Sequence, residues 1–201
     1  MKAFSPRLQT FALATVAALL PGCSLLKPSG VQTQSFVLTP LPAQILLQQS
    51  VSTGVGVGYV KLPQYLFKTS IVMRRGTNEV VYLDSSRWAE RLDTGLQRVI
   101  AADLSTLLPT DRIRLGEWRP EEVNVAVYVA VEQFDVDDKG VGVFSAWWRI
   151  VAPDSDRILK SAQFRGTRRG AAPDVDPNGA TATLSALASE LSQEIAKAIK
   201  P

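Results

Sequence analysis

The chain has 201 residues, enough for one domain with a sizeable core. It carries 22 Lys+Arg against 19 Asp+Glu, no histidine and a single cysteine. This near balance excludes the strongly basic face that nucleic acid requires, and the missing histidine removes the commonest general base and zinc ligand.

Lys2 and Arg7 precede an apolar run, Phe11 to Leu20, that ends in Leu20-Pro21-Gly22-Cys23. A basic start, a short greasy stretch and small residues at a cut site predict a secretory signal over 1–22, too short to span a bilayer. Cys23, directly after the cut, is placed for lipoprotein processing: its thiolate takes a diacylglyceryl group, and the amine freed by cleavage is then acylated. As the lone cysteine it has no internal disulfide partner. Loss of the signal takes Lys2 and Arg7 with it, lowering the net charge from +3 to +1. Residues 23–34 are polar, contain Pro28 and Gly30, and read as a lipidated tether to a single domain over 35–201. Ser24, rather than Asp, follows the cysteine, which resembles the pattern of Gram-negative lipoproteins exported to the outer membrane.

The domain begins with an expected strand over Ser35–Leu38, stopped by Pro40 and Pro42. Val51–Leu62 alternates Val55, Val57 and Tyr59 with Gly54, Gly56 and Gly58, predicting a strand with one bare face open to close approach. Thr69–Arg74 and Glu79–Leu83 flank Gly76-Thr77-Asn78, a hairpin signal. The period then turns helical from Trp88 through Leu92, Leu96 and Val99 to Pro109, with Ser85 or Ser86 as the expected cap. Val123 to Val131 alternates valine with other residues, giving one all-valine strand face. Asp137-Asp138-Lys139-Gly140 turns the chain into Val141–Val151, a second turn follows at Pro153–Asp156, and Arg157–Arg165 is the next strand. A mobile link over Arg168–Val175 is expected before a last helix, capped by Asp176 with Pro177 at its first position. The expected fold is α+β: a mainly antiparallel sheet of about six strands with two amphipathic helices packed on one face.

Several stretches invite chemistry and have plainer readings. Gly54-x-Gly56-x-Gly58 lacks the helix and the Lys-Ser or Lys-Thr of a phosphate loop, so a glycine-faced strand is expected. Asp84, Ser85, Ser86 and Arg87 read as a helix cap with an Asp84–Arg87 ion pair, and Asp135, Asp137 and Asp138 as a solvated turn. No catalytic residue, metal site or cofactor is expected. Leu62, Pro63, Tyr65, Leu66 and Phe67 form the better recognition candidate, because Pro63 breaks the strand and leaves apolar side chains on a loop or edge. On Val141–Val151, Trp148 shares a face with Phe144, Ala146 and Ile150, whereas Trp147 shares one with Ser145 and Arg149 and is the expected partner-facing residue.

Phe36-Val-Leu-Thr-Pro40, Leu62-Pro63-x-Tyr65-Leu66, Arg87-Trp-Ala-Glu90, Trp147-Trp148 and the Leu-Ser-x-x-Ile-Ala of Leu191 to Ala196 occur in order along the chain. Together they resemble the PqiC/YmbA family, lipoprotein auxiliary subunits of ABC-type and MCE (mammalian cell entry) transport systems. The sequence departs from the family pattern at Arg91 and Glu117, where proline is usual. The resemblance implies a non-enzymatic outer-membrane lipoprotein facing the periplasm, an accessory subunit of intermembrane lipid transport that docks the distal end of a conduit and supports membrane integrity. Implied partners are a PqiB-like MCE-domain periplasmic protein and an inner-membrane component, with assembly as a homo-oligomeric ring. A periplasmic hydrolase, needing a paired-carboxylate site in a chain without histidine, and an outer-membrane assembly factor are the alternatives.

Overall fold

A computed structural model describes residues 32–43 and 53–199. The signal, Cys23, Ser24 and most of the tether lie outside the described residues. In chain order the elements are β1 (Gln34–Phe36), β2 (Val55–Val57), β3 (Ser70–Arg75), β4 (Glu79–Trp88), α1 (Leu92–Leu107), β5 (Ile113–Leu115), β6 (Val125–Asp137), β7 (Val141–Val151), β8 (Ile158–Arg169) and α2 (Pro177–Ile199). Single 3-10 turns occur at Gln64–Leu66 and Pro120–Glu122.

The expected α+β class holds, but the sheet is mixed rather than mainly antiparallel. Hairpins β3/β4, β6/β7 and β7/β8 are antiparallel. The pairs β1/β4, β2/β5, β2/β6 and β3/β6 are parallel. The organising strand is β6. One edge pairs along its length with β7, and the other receives β2 near its start, at Val125–Val127, and β3 near its end, at Val136–Asp137. Lys61 bridges Ala130 between them. Thus β2 and β3 are two collinear pieces of one interrupted strand, and Leu62–Thr69 is the excursion between them. Pro63 lacks the N–H a continuing ladder needs, so the break falls there.

One core joins the helices to the sheet. Leu96, Val99, Ile100 and Leu104 of α1 and Leu184, Leu187, Leu191 and Ile195 of α2 are fully buried with Val127, Val136, Phe144 and Ala146. The long strand keeps its valine face through Val131, then a β-bulge between Val131 and Gln133 reverses the parity, so that Phe134 and Val136 take over the buried side. Phe134, Phe144 and Phe164 then stack edge to face, with centroids 4.8 Å and 5.6 Å apart along the row.

The second helix starts as the sequence implies: the Gly179 amide donates to Asp176 Oδ1 at 2.9 Å. The first does not. Ser86 and Trp88 still belong to β4, where β1 pairs with them, and Arg91 precedes Leu92 without a side-chain cap. Asp84 and Arg87, of opposite parity on one strand, form no ion pair with each other. Gly170 donates to the Gly140 carbonyl at 2.7 Å and Pro173 is buried, so part of the link expected to be mobile is pinned between β8 and α2.

Asp103, which the helical pattern assigns to a polar position, is fully buried against α2 and accepts the Leu41 amide at 2.6 Å. Burial pushes this carboxyl above its ordinary pKa. The Leu41 amide and the Ser189 and Ser192 hydroxyls oppose the shift, without closing a well-formed bond to Oδ2. A raised folded-state pKa means the native state holds the proton more tightly, so stability is greatest at low pH and falls as pH rises through the folded value. Asp103→Asn is therefore expected to flatten the fall in stability that begins at the ordinary Asp value of 3.8, here between pH 3 and pH 7, and to gain about 1 kcal/mol at the upper end. Urea unfolding at the two pH values reads this without histidine titration, since the chain has none. Equal pH slopes in parent and variant would count against it.

Candidate recognition face

The side of the sheet away from the helices carries the exposed Tyr59, Trp147 and Ile158. Its row order follows from register: Lys61, Ala130, Trp147 and Gln163 lie side by side, and Tyr128, Arg149 and Ser161 form the neighbouring row. The glycine-faced strand serves this side. A Cβ on Gly56 would fall 2.6 Å from the Trp118 ring, and one on Gly58 would fall 2.5 Å from the Tyr128 ring. Only glycine lets the two aromatics lie on the β2 backbone, where their centroids are 6.5 Å apart.

Trp147 is half exposed and Trp148 buried, as alternation implies. Trp147 is nonetheless held. Its Nε1 donates to Glu132 Oε1 at 2.9 Å, while Ser145 Oγ and Gln163 Nε2 donate to Glu132 Oε2 at 2.8 Å and 2.9 Å. The Ser145 hydroxyl first, then Gln163 and Trp147, keep the Glu132 carboxyl below the usual range, so it stays an acceptor in mild acid. On the opposite face Trp148 Nε1 donates to Glu194 Oε1 of α2 at 2.9 Å, tying sheet to helix.

The excursion divides its residues between anchoring and display. Leu66 is in the core, Leu62 and Tyr65 pack against it, Pro63 is partly buried, and Phe67 is 49% exposed. Beneath the loop lies Asp135, only 1% exposed and therefore no part of a solvated turn. Arg74 grips it with two bonds, Nε to Oδ1 at 3.0 Å and Nη2 to Oδ2 at 2.7 Å. Gln133 Nε2 donates to Oδ1 at 2.8 Å and Tyr65 Oη to Oδ2 at 3.0 Å. Burial first, and then the Asp135 charge, push the Tyr65 hydroxyl up to about 12, fixing it as a donor. Asp137 does serve the turn, accepting the Lys139 and Val141 amides.

The structure thus separates the expected partner residues. Leu62, Pro63, Tyr65, Leu66 and Phe67 occupy the β2–β3 excursion, whereas Trp147 stands at mid-sheet. Tyr59, Lys61, Tyr128 and Arg149 line the sheet face beside Trp147 and were not singled out in the sequence. They converge through cross-strand register, Tyr128 with Arg149 in the antiparallel β6/β7 pair and Lys61 through its parallel bridge to Ala130. Among the described residues no His/Cys/Asp/Glu group is placed to hold a metal ion. No described helix is long and apolar enough to cross a membrane.

The described domain is thus an α+β fold with an open, aromatic sheet face and a pinned apolar loop. The fold matches a crystal structure of protein XCC0632 from Xanthomonas campestris, with 13% identity, a TM-score of 0.69, and coverage of 82% of this chain and 93% of that one. A second crystal structure, of an uncharacterised protein, matches at 19% identity and a TM-score of 0.67 over 84% of this chain and 99% of that one. The chain belongs to the family of ABC-type transport auxiliary lipoprotein components, whose model matches residues 36–196. The intermembrane transport lipoprotein PqiC of Escherichia coli (strain K12) is 34% identical over 101 residues, 48% of this chain and 51% of the relative. The Shigella flexneri PqiC gives the same values. The chain spans about half the length of these curated relatives, and the resemblance to the PqiC/YmbA family holds.

Proposed function

We propose that the protein is an outer-membrane lipoprotein facing the periplasm, where it docks the distal end of an intermembrane lipid-transport conduit and supports membrane integrity. The role of transport accessory lipoprotein follows from the family. The anchor at Cys23, sorting through Ser24, a PqiB-like MCE-domain partner with its inner-membrane component, and assembly as a homo-oligomeric ring belong to the proposal. Its mechanism is mechanical rather than catalytic. Acyl chains fix the domain at the bilayer, the tether sets its reach, and an apolar loop meets the tube.

The observation that carries the docking reading is Phe67, half exposed on a loop held from below by Leu66 in the core and by Tyr65 on Asp135. An exposed aromatic on a rigid support loses little entropy on binding, which is what an interface anchor needs. Trp147, fixed by Glu132, offers a second such contact. Loss of an aromatic anchor typically costs about 2 kcal/mol or more, some 30-fold in affinity. A Cys23→Ser chain is expected to co-purify with the MCE-domain protein at micromolar concentration, and Phe67→Ser on that background to lose most of the capture. Equal capture by both chains would remove Phe67 from the interface, and failure of both would remove the docking reading.

A further inference from the structure

The face around Trp147 has a property that goes beyond an aromatic docking contact. Ala130 lies between Lys61 and Trp147 in its cross-strand row, and its short side chain leaves a floor. Over it opens a groove of about 260 Å³ lined by Tyr59, Lys61, Tyr128, Trp147 and Arg149. An adjoining hollow of about 530 Å³ shares Tyr59, Lys61, Tyr128 and Arg149 and extends to Ile158. Tyr59 on both, Trp147 on the groove and Ile158 on the hollow are each more than half exposed. Lys61 and Arg149 form no ion pair among the described residues; the Arg149 guanidinium lies 5.3 Å from the Tyr128 ring centroid. Glu132, the nearby acid, is engaged with Ser145, Trp147 and Gln163, and Asp156 stands at the far hollow.

Two uncompensated cations beside aromatic and aliphatic walls call for an anion joined to an apolar body. Neither a bare ion nor a hydrocarbon satisfies both halves. We propose that the groove binds one phospholipid molecule, its phosphate between Lys61 and Arg149 and the first acyl methylenes against Tyr59, Trp147 and Ile158. The arginine supplies paired donors to phosphate oxygens and the lysine a mobile point charge. The volume suits a glycerophosphate head and the start of its chains, with the remaining chain length outside. Glu132 acts as a positioning residue that keeps the indole wall upright.

The site shares Trp147 with the docking reading, but Lys61, Ala130 and Arg149 lie outside the excursion and the Phe67 capture experiment reads docking alone, so the two can fail separately. The test uses the full chain with Cys23→Ser, titrated calorimetrically with dihexanoyl phosphatidylglycerol below its micellar concentration. Saturable one-to-one binding is expected. The double variant Lys61→Gln/Arg149→Gln should weaken it at least tenfold. Ala130→Phe, which fills the floor on an exposed face and leaves both cations in place, should abolish it while circular dichroism stays unchanged. Inorganic phosphate at equal concentration should fail to compete. Absence of saturation, full binding by the double variant, displacement by phosphate alone, or equal binding of a hexaglutamate peptide would each overturn the proposal.

Discussion

Arg74→Met is expected to lower the unfolding free energy by about 3 kcal/mol. Asp135 is 1% exposed and receives four donors, two of them from Arg74. Removing the arginine leaves a buried carboxylate facing only the neutral Tyr65 and Gln133. Losing one partner of a buried pair costs about 3–5 kcal/mol, and the lower end applies because the Arg74 side chain is 22% exposed and water can partly replace it. Arg74 also donates to the Thr77 carbonyl at 3.3 Å, so the β3–β4 turn loosens as well. Adding Asp135→Asn to the variant should return part of the loss, since the uncompensated charge disappears. Urea denaturation at neutral pH measures both effects. A loss below 1 kcal/mol would mean the pair contributes no more than a surface ion pair. The loop should suffer too, because Tyr65 is anchored to the same carboxylate.

Cys23→Ser should move the protein from the membrane fraction to the soluble one almost completely. Each buried methylene contributes about 0.8 kcal/mol; one acyl chain gives marginal, reversible attachment, whereas two or three give stable anchoring. Fractionation with palmitate labelling checks this. A variant still sedimenting with membranes, or a parent chain that takes up no label, would defeat the anchor.

Where the physics is local, the sequence was informative. Gly76-Thr77-Asn78 lies in the turn between Arg75 and Glu79, Asp176 caps α2, and the alternation at Trp147-Trp148 sends one indole out and the other in. The bare glycine face is occupied by Trp118 and Tyr128. The mixed sheet was not legible, because β2/β6, β3/β6 and β1/β4 are parallel pairs separated by long crossovers, and no local periodicity records which strand a segment will meet. Trp88 misled through its four-residue spacing from Leu92, which mimics a helix turn although the tryptophan ends a strand. The adjacent polar pair Glu132-Gln133 was a bulge signal that could have been read. It reverses parity and puts Asp135 under the excursion rather than in solvent. Of the recognition face, Phe67 and Trp147 were accessible one at a time; Lys61, Tyr128 and Arg149 became neighbours only through register.

The split of one interior strand line into β2 and β3 has an evolutionary reach of its own. Both halves lean on the same continuous neighbour, β6, so the stretch joining them can lengthen or shorten without displacing any cross-strand partner. Loop closure charges only slowly for added length. Such a slot lets the exposed loop change in length and composition while the sheet that carries it stays the same.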